Sequence, residues 1–160
     1  MDQIGFGIKT VKETEFYANE SLALDTQIDL VTNAGLDIRI EENEIHLFVS
    51  AVYKRKGTGE EYMRGKTISI FLFENLKSRE RVKDGKSAID LPDPLWVTLF
   101  SISYSHARAM LAKSAAGTKF GQMILPLVDP EEHFKNIFKK ELEGQVFESS
   151  KRSELNPKKV

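Results

Sequence analysis

A chain of 160 residues with no cysteine is one domain's worth, long enough to bury roughly 70 % of its unfolded surface without a disulfide or metal staple. The missing cysteines remove disulfides, thiol nucleophiles and thiolate metal sites together, and are compatible with the reducing cytoplasm in which the chain is expected to work. A formal net charge of −1 lacks the basic excess of a nucleic-acid binder, no run approaches the ~18 apolar residues of a membrane span, and M-D-Q-I-G-F-G-I-K-T has no basic or apolar region of a secretory signal.

Ile8 to Tyr17 mixes β-branched, aromatic and charged residues and reads as a strand with one wet face. Gln27 to Val31 and Leu36 to Ile40 read as shorter extended pieces around a turn at Asn33 and Gly35. Glu44 to Lys54 is the clearest strand, with Ile45, Leu47, Val49, Ala51 and Tyr53 alternating against His46, Phe48, Ser50, Val52 and Lys54. Arg55 to Glu60 closes a hairpin through its glycines, and the return strand, Tyr62 to Phe73, ends in the apolar run I-S-I-F-L-F. The charged stretch from Glu74 to Pro94 reads as a long loop. A long helix follows, capped by Asp93 with Pro94 in its first turn and stopped at Gly117. Asp129, Pro130, Glu131 and Glu132 start a second helix, whose apolar face holds Phe134, Ile137, Phe138 and Leu142. One domain is thus expected over 1–147, with a polar tail over 148–160 that cannot bury enough surface to order itself.

No catalytic constellation emerges. Gly59 to Thr67 resembles a phosphate loop, but it is one residue too long, carries Glu60 and Glu61 where phosphate would sit, and leads into a strand, so a hairpin with a bulge at Gly65 is expected. His46, His106 and His133 fall in three separate elements, and no convergent metal ligands are visible. Glu41, Glu42 and Glu44 read as a solvated turn, and Glu131 with Glu132 as a helix start. There is no nucleophile elbow. The chain is therefore expected to be no enzyme, to use no cofactor and to hold no metal. Arg108 stands in the middle of the long helix among Ala, Ser, Met and Leu; it either finds a carboxylate or carbonyl in the interior or snorkels to solvent on the helix's narrow polar side. The breadth of that helix's apolar surface, from Leu95 to Ala116, predicts burial on two sides, one against its own sheet and one against a second copy.

The run S-H-A-R-A-M-L-A-K-S-A-A-G-T-K-F-G-Q-M-I-L-P-L-V-D-P resembles the end of the SecB export-chaperone family. The carrying positions are His106, Ala107 and Arg108, then Gly117, Thr118 and Phe120, then Leu125, Pro126 and Val128, and the order of strands upstream is also similar, from about Gly7 to Phe138. His106 stands where the family has Tyr, Lys119 is inserted, and the segment Lys77 to Asp93 is charged where the family is Gly-rich. The tail carries Lys151, Arg152, Lys158 and Lys159 instead of the acidic run that contacts the SecA motor, so SecA is not carried over as a partner.

The resemblance implies an α+β fold, a four-stranded antiparallel sheet with the long helix and the C-terminal helix on one face, assembled as a tetramer, a dimer of dimers. It implies ATP-independent holding of unfolded or preprotein polypeptides, or a dedicated role for one unstable partner such as an antitoxin; a non-enzymatic interaction or scaffold subunit is the alternative. Phe71 and Phe73 share one strand face, with Ile70 and Leu72 on the other, and with Trp96 they are the expected client-binding residues. Leu99, Ile102, Ala107, Met110 and Leu111 are the expected oligomer interface. Nucleic acid and membrane insertion are not expected.

Overall fold

The alternation beginning at Glu44 sets the core face of a central strand, and the rest of the sheet follows from it. The computed structural model describes residues 3–24, 27–139 and 147–148. Within them β1 (Phe6–Ala18), β2 (Ile28–Arg39), β3 (Glu44–Arg55) and β4 (Glu61–Phe73) form one antiparallel sheet in the order β1-β4-β3-β2. Ile45, Leu47, Val49, Ala51 and Tyr53 are each at most 6 % exposed. In register beside them on the same face stand Phe71, Ser69, Thr67, Gly65 and Met63 of β4 and Ile38, Leu36, Ala34, Thr32 and Leu30 of β2. The two glycines of the connecting hairpin, Gly57 and Gly59, have φ of 88° and 73°, a conformation that side chains with a Cβ resist.

The long helix, α1 (Asp93–Ala115), lies on this face. Its buried positions, Trp96, Leu99, Phe100, Ser103, Tyr104, Ala107, Leu111 and Ala115, recur at intervals of one to four residues and make a single sheet-facing stripe. The opposite side carries small residues, Thr98, Ser101, Ser105, Ala109 and Ala112. The sheet therefore covers α1 on one side, and the helix's apolar breadth elsewhere reflects alanine and serine rather than large hydrophobes. The second helix, α2 (Pro130–Ile137), begins as its Asp-Pro start predicts, with the Asp129 carboxylate accepting from the Glu132 N–H at 2.9 Å. Phe134 and Phe138 pack on the Phe100 ring at centroid distances of 5.9 and 6.3 Å. Burying rings of this size contributes about 1.5–3 kcal/mol each. Ile137 is half-buried, and Leu142 lies outside the described residues.

Several local expectations are corrected. Residues 28–39 form one continuous strand with no turn at Asn33 and Gly35, because unbroken pairing with β3, including Gly35 opposite Phe48, outweighs local turn chemistry. The charged segment after β4 is no loop: a 3-10 turn at Lys77–Arg79 leads into the hairpin β5 (Glu80–Lys83) and β6 (Lys86–Ile89). Asp84 and Gly85 both have positive φ, so the Asp-Gly pair forms the tight turn that hairpin twist requires. No bulge falls at Gly65; the pairing of β1 with β4 shifts between Glu13 and Glu15 instead. Gly65 is small for another reason, since a Cβ there would stand 2.7 Å from Leu111 Cδ1 of α1. Asp93 is the first helical residue and not the cap, a position held by Pro92. Phe147–Glu148 pairs with β6 as β7, across the expected start of the tail, and residues 149–160 lie outside the described residues.

Candidate functional site

Phe71, Phe73 and Trp96 are 0, 4 and 1 % exposed. Phe6 stacks on Phe73 at 5.5 Å and meets Phe71 at 6.2 Å, so these rings fill the interior under the end of the sheet. Among the residues expected at an oligomer interface, Leu99, Ala107 and Leu111 also face the sheet and are buried, whereas Ile102 and Met110 lie half-buried along the edge of α1. The expected binding residues thus separate into core and edge.

An open groove lies along one flank of α1, where the extended segment before α2 returns along the helix. Pro126 breaks that segment and Asp129 restarts it as α2, so its backbone carbonyls are left without ladder partners. Two side chains of α1 take them: Arg108 Nε donates to the Leu125 carbonyl at 2.7 Å, and the Tyr104 hydroxyl donates to the Pro126 carbonyl at 2.9 Å. Of the two readings of Arg108, the carbonyl partner is the one realised. Burial pushes the Tyr104 hydroxyl up in pKa, partly opposed by the Arg108 charge, so it stays a proton donor. Between the pinned segment and the helix is a cavity of about 310 Å³ lined by Tyr104, Ser105, Arg108, Ala109, Ala112, Ile124, Leu127 and Val128. Ile124 is 48 % exposed and Leu127 84 %, an apolar rim that the described residues leave uncovered. Sequence reasoning missed both. The available signal was the pair of apolar residues flanking Leu125 and Pro126, a stretch too short to pair as a strand.

The histidines are placed separately. His106 Nδ1 lies 3.1 Å from Ser69 Oγ, joining α1 to β4, and His133 Nε2 lies 3.3 Å from Thr32 Oγ1, joining α2 to β2. Burial lowers the pKa of both. His46 points to the opposite sheet face, 2.7 Å from Glu44 Oε2. Glu44 is 4 % exposed, which corrects its reading as part of a solvated turn: its strand position, not its acidity, sets its surroundings. A hydrogen bond from Lys9 holds its carboxyl below the usual range. The phosphate-loop look-alike lies in the hairpin and β4 and runs on as a strand, so it lacks the helix N-terminus onto which a phosphate loop opens.

One face of a four-stranded antiparallel sheet covered by a long helix and a C-terminal helix defines the SecB-like α+β fold. Among solved structures, the chain is similar to a SecB-like chaperone of Mycobacterium tuberculosis in complex with a ChAD peptide from the HigA1 antitoxin. The TM-score is 0.55 at 10 % identity, over 78 % of this chain and 90 % of that one. No protein-family model matches the chain, and no curated protein matches it in sequence. No helix among the described residues is long and apolar enough to cross a membrane.

Proposed function

We propose that this protein is a chaperone that holds unfolded polypeptides without nucleotide, a binding protein and not an enzyme, working in the cytoplasm as a homo-oligomer. The carrying observation is the fold shared with a SecB-like chaperone whose structure contains a bound peptide. The groove beside α1 supports this reading. Its rim residues, Ile124 and Leu127, offer apolar area without demanding a particular hydrogen bond, while Ser105, Ala109 and Ala112 make a floor that side chains of many shapes can approach. We assign client contact to this groove, and to Phe71, Phe73 and Trp96 the support of the sheet beneath it. For self-association, as a tetramer built from dimers, we assign the outer edge of α1 with Leu95, Ile102 and Met110. Because the tail is basic, delivery to the SecA motor is no part of the proposal.

The test is suppression of aggregation of a denatured polypeptide diluted from urea, with and without ATP. Suppression independent of ATP, and weakened about tenfold or more by Ile124→Asp with Leu127→Asp at unchanged circular dichroism, is expected; no suppression at molar excess would overturn the reading. A second, narrower reading is a chaperone dedicated to one partner, favoured because the similar structure carries an antitoxin peptide. Chains co-purifying from the native cell separate the two: many polypeptides mark a general holdase, and one constant partner a dedicated one.

A further inference from the structure

The sheet face turned away from the helices carries a cluster that chaperoning does not use. The ligand sequence is E-N-E-I-H, Glu42 to His46. Glu44 and His46 are two residues apart in β3 and therefore share a face. Glu42 belongs to the 3-10 turn just before the strand, and Asn43 between them has φ of 55°, a left-handed step that turns Glu42 back beside Glu44. One ligand atom from each of the three residues lies within 4.8 Å of the others, the one such group of His, Asp or Glu among the described residues.

We propose that Glu42, Glu44 and His46 bind a divalent transition-metal ion of the zinc class. One imidazole and two carboxylates suit zinc, cobalt or nickel in preference to magnesium, which favours all-oxygen octahedral sites and keeps its waters. Three protein ligands leave room for water to complete the coordination. Two of the ligands are only 4 % exposed, so their positions are set before a metal arrives. The third, Glu42, is exposed, and its carboxylate lies 3.4 Å from Arg39 Nη1. His46 Nε2 and Glu44 Oε2 are 2.7 Å apart; tetrahedral metal bonds of about 2.0–2.2 Å place two ligand atoms about 3.4 Å apart, so the metal replaces their hydrogen bond and the pair opens by about 0.7 Å. The Lys9 ammonium on the other oxygen of Glu44 acts as a competing cation, and its side chain is 54 % exposed and able to leave. Asn43 also accepts from the Leu76 N–H through its side chain and from the Phe73 N–H through its carbonyl, so a bound ion would brace the corner joining the β2–β3 turn to the end of β4. This inference does not rest on the chaperone reading.

Zinc chloride titrated calorimetrically into the full chain, with the cobalt(II) absorption spectrum as a second readout, tests it. One ion per chain is expected. His46→Gln and Glu42→Gln should each weaken it about tenfold or more, and Lys9→Met should strengthen it by removing the competing charge. His106→Gln should leave it unchanged, and magnesium should give no heat. Glu42 is exposed, so its variant remains informative even if the His46 variant fails to fold. Absence of saturable zinc binding, or binding that Glu42→Gln leaves unaltered in a folded protein, would overturn the proposal.

Discussion

Gly65 shows how one missing methyl group can set the distance between two elements. It stands in β4 opposite Ala51, in the middle of the face on which α1 lies, and a Cβ would meet Leu111 at 2.7 Å. Leu111 is 3 % exposed and has little room to move. Gly65→Ala should therefore destabilise the fold by about 1–3 kcal/mol, the usual cost of overpacking a filled core. Leu111→Ala alone should cost about 2–5 kcal/mol. The double variant should cost less than the sum, because the new methyl occupies part of the space that the leucine vacates. Urea unfolding of the three proteins checks this; strict additivity would show that the two residues do not meet. The same scale limits what spacing shows of Glu42, Glu44 and His46: it predicts a shared face for Glu44 and His46, and asparagine tolerates a left-handed step, but spacing does not say that Asn43 takes one and so returns Glu42 to them.

Both helices are joined to the sheet through a histidine, His106 of α1 to Ser69 and His133 of α2 to Thr32. His133 also lies against the Phe100 and Tyr104 rings, at 5.7 and 5.4 Å. Burial lowers the pKa of both imidazoles below the ordinary value of 6.5, so the folded state favours the neutral form. The sign follows directly: the unfolded chain binds protons first, and the contribution of these residues is complete above about pH 6.5 and lost as pH falls through their lower folded pKa values. The melting temperature should therefore drop on acidification from pH 7 toward pH 5, and His106→Gln with His133→Gln should flatten that part of the profile. An unchanged slope in the double variant would show that other groups govern acid stability. At this scale the chain also corrects a compositional habit. The charged segment after β4 reads as a loop by charge alone, yet its Asp84-Gly85 pair makes a hairpin.

For the whole molecule, one side of α1 is covered by the sheet, and the outer edge assigned to self-association carries exposed Thr98 with Leu95, Ile102 and Met110 half-buried beside it. Light scattering at micromolar concentration is expected to give a multiple of the 18.2 kDa chain mass. Ile102→Arg with Met110→Arg should return it to one chain's mass at unchanged far-ultraviolet circular dichroism, since both lie on the outer edge of α1 and neither is part of the buried stripe. A monomer mass for the unmodified protein would end the oligomer reading.

The residue pattern by itself determined the order of the main elements: the alternation in β3, the Asp-Pro start of α2, the long helix and the glycine hairpin are local or periodic signals, and each is read by spacing alone. It also carried the resemblance to SecB-like proteins through the stretch from His106 to Val128. Only the tertiary structure decided which faces are used. Phe71, Phe73 and Trp96 are apolar whether they line a groove or fill a core, and what packs on them depends on residues far away in sequence, such as Phe6 on Phe73. Leu127 is likewise exposed because Tyr104 and Arg108 hold its neighbours' carbonyls, a contact across 17 to 22 residues that no local pattern encodes.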